Sequence, residues 1–424
     1  MARILFTTFG SYGDLHPYMA LGIELRNRGH RVTIATSATY GPKVASEGLG
    51  FHPVRPDVSL DDRERLAYVF DARRGSERVV RLWCSVVRET YDDTLPAAGQ
   101  ADLIVTHPIT FAAVLVAQKL RMPWISSVLA PISFLSAWDP PVAAPAPWMV
   151  KLRAFGPGVM KAVWNLGRWD TFRWMRPVLE FRRELGLGPT EHPLFEGANS
   201  PALVLALFSK YMAEPQPDWP RQAVVTGFQF YDRHHEQREI ASELYSFLTQ
   251  GPAPLIFTLG TSAVGAAGDF YRDSLDAVQS LRMRALFLTG SHPQGLPDTL
   301  PDGVMTAAYA PHSEVFPRAA AIVHQGGIGT TGQAMRSGRP MLVVPFAHDQ
   351  FDNGDRMRRV SVGEVLYRSR YNARRAAERL RRLVENPSYA QAGAILSKRV
   401  EAENGRVVAA DAVEACLKSA GATV

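Results

Sequence analysis

The sequence predicts an α/β protein with two doubly wound parallel-sheet domains that face a central cleft. Its 424 residues exceed what one hydrophobic core usually serves, and 46% of them are hydrophobic, which is enough apolar content for two cores. Short β-rich runs alternate with helix-length spacers of helical period along both halves of the chain, a pattern typical of parallel βαβ units. No internal repeat accompanies this rhythm, so the predicted similarity of the domains is architectural.

Eleven apolar runs are predicted to form the strands. Six belong to the first domain: RILFTTF (3–9), HRVTIAT (30–36), ADLIVTH (101–107), PWISSVLA (123–130), ALVLALF (202–208) and QAVVTG (222–227). Five belong to the second: PLIFTLG (254–260), RALFLTG (284–290), VMTAAYA (304–310), AAIVHQ (320–325) and MLVVPF (341–346). The polar segment YDRHHEQRE (231–239) precedes a Pro/Gly boundary and is the predicted linker. The expected divisions are 1–235, 236–402 and a C-terminal helix within 403–424.

Composition narrows the class of protein. The net charge of +6 comes mainly from scattered arginines, and no basic run is interleaved with aromatic residues, so nucleic-acid binding is not expected. The two cysteines, Cys84 and Cys416, fit neither a disulfide framework nor a zinc site. The apolar run at the amino end is too short for a signal peptide, which favours a cytoplasmic protein. The proline- and tryptophan-rich stretch 131–148 is open to three interpretations: a lid, a pocket wall or a peripheral contact with a membrane surface.

The strand-loop-helix at 319–335, AAAIVHQGGIGTTGQAM, is a candidate phosphate site. GIGTTG (327–332) matches the Gly-x-Gly-x-x-Gly pattern, and Asp349 follows about twenty residues later, as in a dinucleotide fold. The late position in the chain and the pair His324 and Gln325 ahead of the glycines argue against that assignment. Taken alone, the pattern favours a nicotinamide or flavin enzyme, but a lone glycine pattern has low specificity and does not exclude a different phosphate ligand.

Two longer segments carry a family resemblance. YAPH (309–312) and VHQGGIGTTGQAMRSGRPMLVVPFAHDQFDN (323–353) resemble the donor-sugar signature of GT-B glycosyltransferases of family 1, the UDP-glycosyltransferase superfamily. FGSYGDLHPYMALGIELRNRGHRVTIAT (9–36) is similar to the opening of its bacterial branch, which includes rhamnolipid rhamnosyltransferases, sterol glucosyltransferases and antibiotic glycosyltransferases. The fold that this resemblance implies is GT-B, with two Rossmann-like domains, and the C-terminal helix is expected to pack back on the first domain.

The resemblance implies an inverting, metal-independent transfer from a nucleoside-diphosphate sugar to a hydroxyl of an apolar small-molecule or lipid acceptor. No cofactor is then expected, because the nucleotide sugar is a co-substrate, and the sequence contains no Asp-x-Asp for a metal clamp. Fixed dipoles must stabilise the departing diphosphate. The residues assigned to this role are His324, Gly327, Gly329 and Thr330, with Thr261 and Ser262 after the first strand of the second domain.

Other positions match the family motif residue by residue. Tyr309 stands where the family has a base-stacking tryptophan, and His312 stands where it has a glutamine. Gly332 replaces a glutamate that binds ribose hydroxyls in plant and animal members, which makes a dTDP-sugar such as dTDP-rhamnose as plausible a donor as UDP-glucose. Asp349 and Gln350 match the pair that contacts the donor sugar, although Asp349 is also suited to capping a helix.

Asp14 occupies the position of the family's catalytic base. It lies three residues before Pro17, and an aspartate ahead of a proline-started helix is also a good N-cap, but the base is the favoured role. His107 aligns with the family's orienting aspartate, and His16 is adjacent in the loop; either is a candidate to share the proton.

Two other functions compete with transfer of a sugar. One is an NAD(P)-dependent oxidoreductase that uses GIGTTG, and the other is a non-catalytic nucleotide-sugar-binding protein. Asp14 discriminates against the second, because a binding module needs no base opposite the diphosphate.

Overall fold

Two parallel β-sheets, one in each half of the chain, organise the structure. The computed structural model describes residues 1–57, 68–231, 241–290, 295–419 and 421, apart from the side chains of Thr261 and Ser262. The predicted linker, 231–239, lies outside the described residues from 232 onward.

The first sheet is formed by seven described strands, all parallel. They are β1 (Arg3–Thr7), β2 (Arg31–Thr36), β3 (Gly50–Pro53), β4 (Leu103–Thr106), β5 (Trp124–Val128), β6 (Val204–Ala206) and β7 (Ala223–Val225). Their spatial order is β3-β2-β1-β4-β5-β6-β7. Successive strands are added on one side of β1 up to β3 and on its other side from β4 onward, which makes the pair β1 and β4 the topological switch point of the sheet.

The second sheet is formed by six described strands, also parallel. They are β8 (Leu255–Thr258), β9 (Ala285–Leu288), β10 (Val304–Ala307), β11 (Ala321–His324), β12 (Met341–Val343) and β13 (Gly363–Val365). Their order is β10-β9-β8-β11-β12-β13, so the switch point lies between β8 and β11. Ligands of such sheets bind outside the carboxyl ends of the strands at the switch point.

Helices cover both faces of the sheets. Those of the first half are α1 (Tyr12–Asn27), α2 (Gly41–Ser46), α3 (Gly75–Ser85), α4 (Val87–Ala98), α5 (Phe111–Leu120), α6 (Pro157–Phe172) and α7 (Arg176–Glu184). Those of the second half are α8 (Ser242–Thr249), α9 (Gly260–Ala263), α10 (Phe270–Leu281), α11 (His312–Val315), α12 (Ile328–Ser337), α13 (Gln350–Arg359), α14 (Ala373–Glu385), α15 (Pro387–Glu401) and α16 (Gly405–Ser419). Within the described residues, no helix has the length and apolar composition needed to cross a membrane.

The eleven predicted strands are all present, each shorter than the apolar run that predicted it. Central strands such as β4, β8 and β11 are buried along their whole length, which explains why they read as continuous apolar runs. Two strands, β3 and β13, were not predicted from the sequence. Both lie at the edge of a sheet, begin with glycine and contain polar residues, so they lack the apolar signal of a buried strand.

The C-terminal helix α16 packs on the first domain. Ala409, Val413 and Leu417 join the apolar cluster that includes residues of α1 and β1. Charged contacts add to this apolar seam: Arg28 Nη1 lies 2.5 Å from Asp411 Oδ1, and His30 Nε2 lies 3.1 Å from a Glu414 oxygen. The chain therefore crosses from the second domain back to the first.

Candidate active site

The turn between β11 and α12 requires glycine. Gly326 has φ +91°, and a methyl group there would stand 2.7 Å from Val343 Cγ1 and 2.9 Å from the carbonyl oxygen of Gln350. Gly327 is the N-cap of α12 and offers no side chain to accept the first helical N–H groups. These N–H groups and the positive end of the helix dipole therefore point out of the turn, as anion binding requires.

His324 ends β11 directly below this turn and is completely buried. Its Nδ1 accepts the N–H of Gly326 at 3.1 Å, which leaves the ring proton on Nε2. Nε2 is buried and has no hydrogen-bond partner among the described residues. Burial, with a smaller contribution from His312, lowers the pKa of His324 to about 3, so the ring is neutral. It is a fixed hydrogen-bond donor that lacks an acceptor.

Asp14 and His107 follow β1 and β4, the two strands of the first switch point, and they lie together. His107 Nε2 is 3.4 Å from Asp14 Oδ1. The N–H of Ile109 donates to His107 Nδ1 at 3.3 Å, which places the ring proton on Nε2, facing the carboxylate. The other carboxylate oxygen accepts the N–H of Ser11 at 2.8 Å. A third of the Asp14 side chain is exposed, so this oriented carboxylate is open on one side.

The start of α1 differs from the expected one. The helix begins at Tyr12, and its N-cap is Ser11, whose Oγ accepts the N–H of Gly13 at 3.1 Å. Asp14 is the N3 residue of a capping box, and Pro17 lies inside the helix. The alternative role considered for Asp14, as the N-cap of a proline-started helix, therefore does not apply. Its side chain closes the box through one oxygen and keeps the other for His107.

His16 lies apart from this pair. Its ring stacks on Tyr12 at 5.1 Å between centroids and contacts the ring of Tyr231 at 4.7 Å. Residues two apart on a helix point to opposite sides, so a position that faces the tyrosines turns away from Asp14. The structure brings Asp14 together with His107 and not with His16.

The two switch points face one another across the cleft. A methyl group placed on Gly329 would stand 3.9 Å from the Cα of Gly13, which brings the glycine turn close to the start of α1. His348 has φ +56°, a strained backbone for a side-chain-bearing residue. It contacts the first domain through Ser76, whose Oγ lies 3.3 Å from Nδ1, and through the ring of Phe70. Burial lowers the pKa of His348 to about 4, and the nearby Asp14 charge opposes that shift.

Asp349 is the N-cap residue of α13, but its side chain makes no capping bond. It accepts a hydrogen bond instead from Asn353 Nδ2 at 2.7 Å, and the same nitrogen donates to the carbonyl of Gly326 at 2.9 Å. Asn353, which the sequence analysis did not single out, thus ties the glycine turn to Asp349. Gln350 Oε1 accepts the N–H groups of Phe346 and Ala347, so this amide oxygen braces the loop rather than facing a ligand.

Asp349 gives the free protein a pH-dependent stability. Burial, with help from the Asp14 charge, raises its pKa to about 7, well above the ordinary value of about 4. The native state then binds more protons than the unfolded chain between these values, so this group lowers stability as the pH rises from about 4 to about 7. We expect Asp349→Asn to gain stability relative to wild type across that window. Denaturant unfolding at pH 5 and pH 8 measures the difference in free energy of unfolding between the variant and wild type, with Asp170→Asn, at an exposed site, as the control. Equal gains in stability at both pH values would contradict the prediction.

The predicted nucleobase site lies at the open edge of a pocket that both halves of the chain line. Tyr309 is 41% exposed, and His312 begins α11, where its ring stacks on Phe316. His312 lines an open pocket of about 740 Å³ that Gln333 and Phe228 also line. A methyl group on Gly332 would stand 3.0 Å from the Phe228 ring, so this phenylalanine occupies the space that a longer side chain at position 332 would need. Thr261 and Ser262 lie in α9, directly after β8.

An ion cluster that the sequence analysis missed links α13 to the first domain. Arg356 is buried, and its Nε lies 2.8 Å from Asp352 Oδ2 while its Nη1 lies 2.5 Å from Asp139 Oδ2. Arg359 binds the other oxygen of Asp139 at 2.7 Å, and Asp352 accepts the N–H of Val142 at 3.1 Å. The helix that begins beside Asp349 is therefore held against the loop that contains Asp139. No sequence signal pairs charges 217 positions apart.

Comparisons with known proteins identify the family and the fold. Residues 4–128 match the family described as glycosyltransferase family 28 N-terminal domain, and residues 284–414 match the family described as erythromycin biosynthesis protein CIII-like, C-terminal domain. O-mycaminosyltylonolide 6-deoxyallosyltransferase of Streptomyces fradiae is 32% identical over 95% of this chain and 94% of its own.

Two further similarities extend the comparison. A sterol 3-beta-glucosyltransferase of Leptosphaeria maculans is 26% identical over 96% of this chain, which spans 28% of that longer protein. The crystal structure of glycosyltransferase VinC in complex with dTDP superposes with a TM-score of 0.68, covering 98% of this chain and all of that one, at 20% identity. This last likeness concerns the fold.

Proposed function

The chain belongs to the GT-B glycosyltransferases, and on that premise we propose that it moves a sugar from a nucleoside diphosphate to a hydroxyl of an apolar acceptor, with inversion and without a metal. The observation that carries the proposal is the oriented Asp14–His107 pair, which opens into the cleft beside the glycine turn of the second domain.

Each proposed step has its residue. The acceptor oxygen attacks the anomeric carbon, and its proton passes to the open side of the Asp14 carboxylate. The bond between the anomeric carbon and the diphosphate oxygen breaks, and its electron pair stays with the diphosphate. The N–H groups at the start of α12 and the Nε2–H of His324 stabilise that charge. His107 keeps the carboxylate oriented.

The stereochemistry and the metal independence have separate support. Inversion is supported by the proposed base on the first domain and the proposed leaving-group site on the second, because attack and departure on opposite faces of the sugar need groups on opposite sides of the cleft. The donors in the turn are neutral N–H groups.

Phe228 favours a deoxyribose donor. Its ring fills the position from which a glutamate would bind ribose hydroxyls, so a 2′-hydroxyl would meet an apolar side chain there. A thymidine diphosphate lacks that hydroxyl and loses no hydrogen bond. The complex of VinC with dTDP is consistent with this choice.

The acceptor class follows from the names of the relatives. One is named for O-mycaminosyltylonolide and another for a sterol, and both names describe large molecules with an apolar body. We infer an acceptor of this kind, presenting its hydroxyl to Asp14.

Calorimetric titration with dTDP, UDP and NAD, each with and without magnesium, tests the proposal. Binding of dTDP without a metal requirement, tighter than that of UDP, is the expected result. Binding of NAD alone would return the glycine turn to the oxidoreductase interpretation. Mass spectrometry of incubations with dTDP-sugars and a panel of sterols and macrolide alcohols then tests transfer itself.

His324→Ala is expected to weaken the binding of the nucleoside diphosphate by about 1.5–3 kcal/mol, the range for hydrogen bonds to charged groups. It should also slow transfer, because the same donor stabilises the leaving group. Titration with dTDP and steady-state kinetics measure both effects. His192→Ala is the control, since this second buried histidine bonds to Thr171 of α6. Unchanged affinity and rate in His324→Ala would remove His324 from the diphosphate site.

A further inference from the structure

One segment of the first domain carries an unusual amount of exposed apolar surface. Among the described residues, seven of the seventeen exposed large hydrophobic side chains fall between 138 and 172. They are Trp138, Trp148, Phe155, Val159, Leu166, Trp169 and Phe172, and five of them are at least half exposed. Single exposed apolar residues are ordinary, whereas a contiguous group marks an interaction site.

Helix α6 contributes two apolar stripes to this segment. Met160 and Trp164, four positions apart, are buried and attach the helix to the domain. A second stripe, which we call the outer face, consists of Val159, Ala162, Leu166 and Trp169. These four residues recur at the spacing of one helix face, and all four are exposed. A helix that only covers a domain needs the first stripe alone.

Positive charge predominates in the segment that contains the outer face. Residues 147–176 contain six Lys or Arg and a single acidic residue, Asp170. Arg153, Arg168 and Arg176 have carboxylate partners. Lys151, Lys161 and Arg173 have none within ion-pair distance in the described part of the chain. The Arg173 guanidinium lies 4.4 Å from the centroid of the Trp169 ring.

We propose that the outer face of α6, with the neighbouring Trp148 and Phe155, binds the surface of membranes that contain anionic lipid. Tryptophan and phenylalanine beside unpaired Lys and Arg are the composition of an interfacial helix, whose apolar side enters the headgroup boundary while its cations meet the lipid phosphates. The core of a protein interface is usually depleted in lysine, which disfavours a protein partner here. The proposal rests on exposure and charge and stands apart from the proposed function.

Co-sedimentation with vesicles tests the proposal directly on the full chain. Vesicles of phosphatidylcholine alone are compared with vesicles of equal parts phosphatidylcholine and phosphatidylglycerol, at low and at high sodium chloride. We expect the protein to pellet with the anionic vesicles, to pellet less with the neutral ones, and to be released in part by salt. Absence of pelleting with anionic vesicles at low salt would overturn the proposal.

Two variants assign the binding to this surface. Leu166→Ser/Trp169→Ser is expected to lower the vesicle partition coefficient about tenfold, because two apolar side chains no longer enter the headgroup boundary. Both side chains are exposed, so their replacement should leave the fold unchanged. Lys151→Glu/Lys161→Glu reverses two charges and should lower it roughly fivefold per charge unit on anionic vesicles only. Tyr245→Ser/Ile395→Ser is the matched control, since both of these apolar side chains are also at least half exposed but lie on the second domain.

Two measurements accompany the sedimentation. The dTDP affinity of Leu166→Ser/Trp169→Ser should equal that of wild type, because the outer face lies outside the donor site. Pelleting of this variant at the wild-type level would overturn the assignment to α6. Gel filtration gives the remaining outcome: a dimer that the variant abolishes, without vesicle binding by either protein, would replace the lipid with a second copy of the chain.

Discussion

Asp14→Asn is expected to lower kcat by about 10²- to 10⁴-fold, the usual contribution of a general base, while the Kd for dTDP stays unchanged. Asparagine can still accept the N–H of Ser11, so the capping box of α1 survives. It cannot take up the proton of the acceptor hydroxyl. The loss therefore falls on the chemical step and not on folding or on donor binding.

Single-turnover kinetics and calorimetry on the same preparation separate the two effects. Asp102→Asn is a matched control, because Asp102 also accepts a backbone N–H, that of Arg3 at 2.8 Å. Asp102 directly precedes β4 and so lies at the amino ends of the strands, away from Asp14. Its kcat should stay close to wild type. Undiminished turnover by Asp14→Asn would exclude Asp14 as the base and leave His107, since His16 faces Tyr12 and Tyr231.

Apolar periodicity predicted most of the fold. Strands β1, β4, β8 and β11 are buried on both faces, so each appears in the sequence as an apolar run. The spacers between the strands have the length of helices. Edge strands β3 and β13 lack this signal, although the other two edge strands, β7 and β10, carry it. Glu364 of β13, for instance, is a buried carboxylate that pairs with Arg379 and Arg382 of α14, a reason for burial that hydropathy does not record.

The site was predictable where it depends on local sequence. The glycine turn, His324 and Asp14 follow strands whose ends could be placed, and their types suit an anion and a proton transfer. The missing parts depend on side-chain direction and on contacts between distant segments. The spacing along α1 could have separated His16 from Asp14. In contrast, the contact of Phe228 with Gly332 and the hydrogen bonds of Asn353 to two loops join segments that are far apart in the sequence, so no local pattern indicates them.

The contact that sequence reveals least, the ion cluster around Arg356, supports the second large prediction. Arg356→Met is expected to lower the free energy of unfolding by about 3–5 kcal/mol, because removing one partner of a buried pair leaves an uncompensated charge. Asp352, 1% exposed, would keep only the N–H of Val142, whereas Asp139 would retain Arg359. The cost should therefore fall mainly on Asp352. Lowering the pH toward protonation of that carboxylate should reduce the difference from wild type.

The neighbouring helical position provides the control for this variant. Arg358 pairs with Asp355 at 2.5 Å, but its side chain is 52% exposed, so Arg358→Met should cost less than about 1 kcal/mol. Denaturant unfolding followed by circular dichroism compares the two. A second readout is the KM for the nucleotide sugar, because the first turn of α13 lies beside Asp349. Loosening this helix should raise the KM in Arg356→Met and not in Arg358→Met. If both variants unfold alike, the cluster contributes no more than a surface ion pair, and the two domains are held together by their apolar contacts.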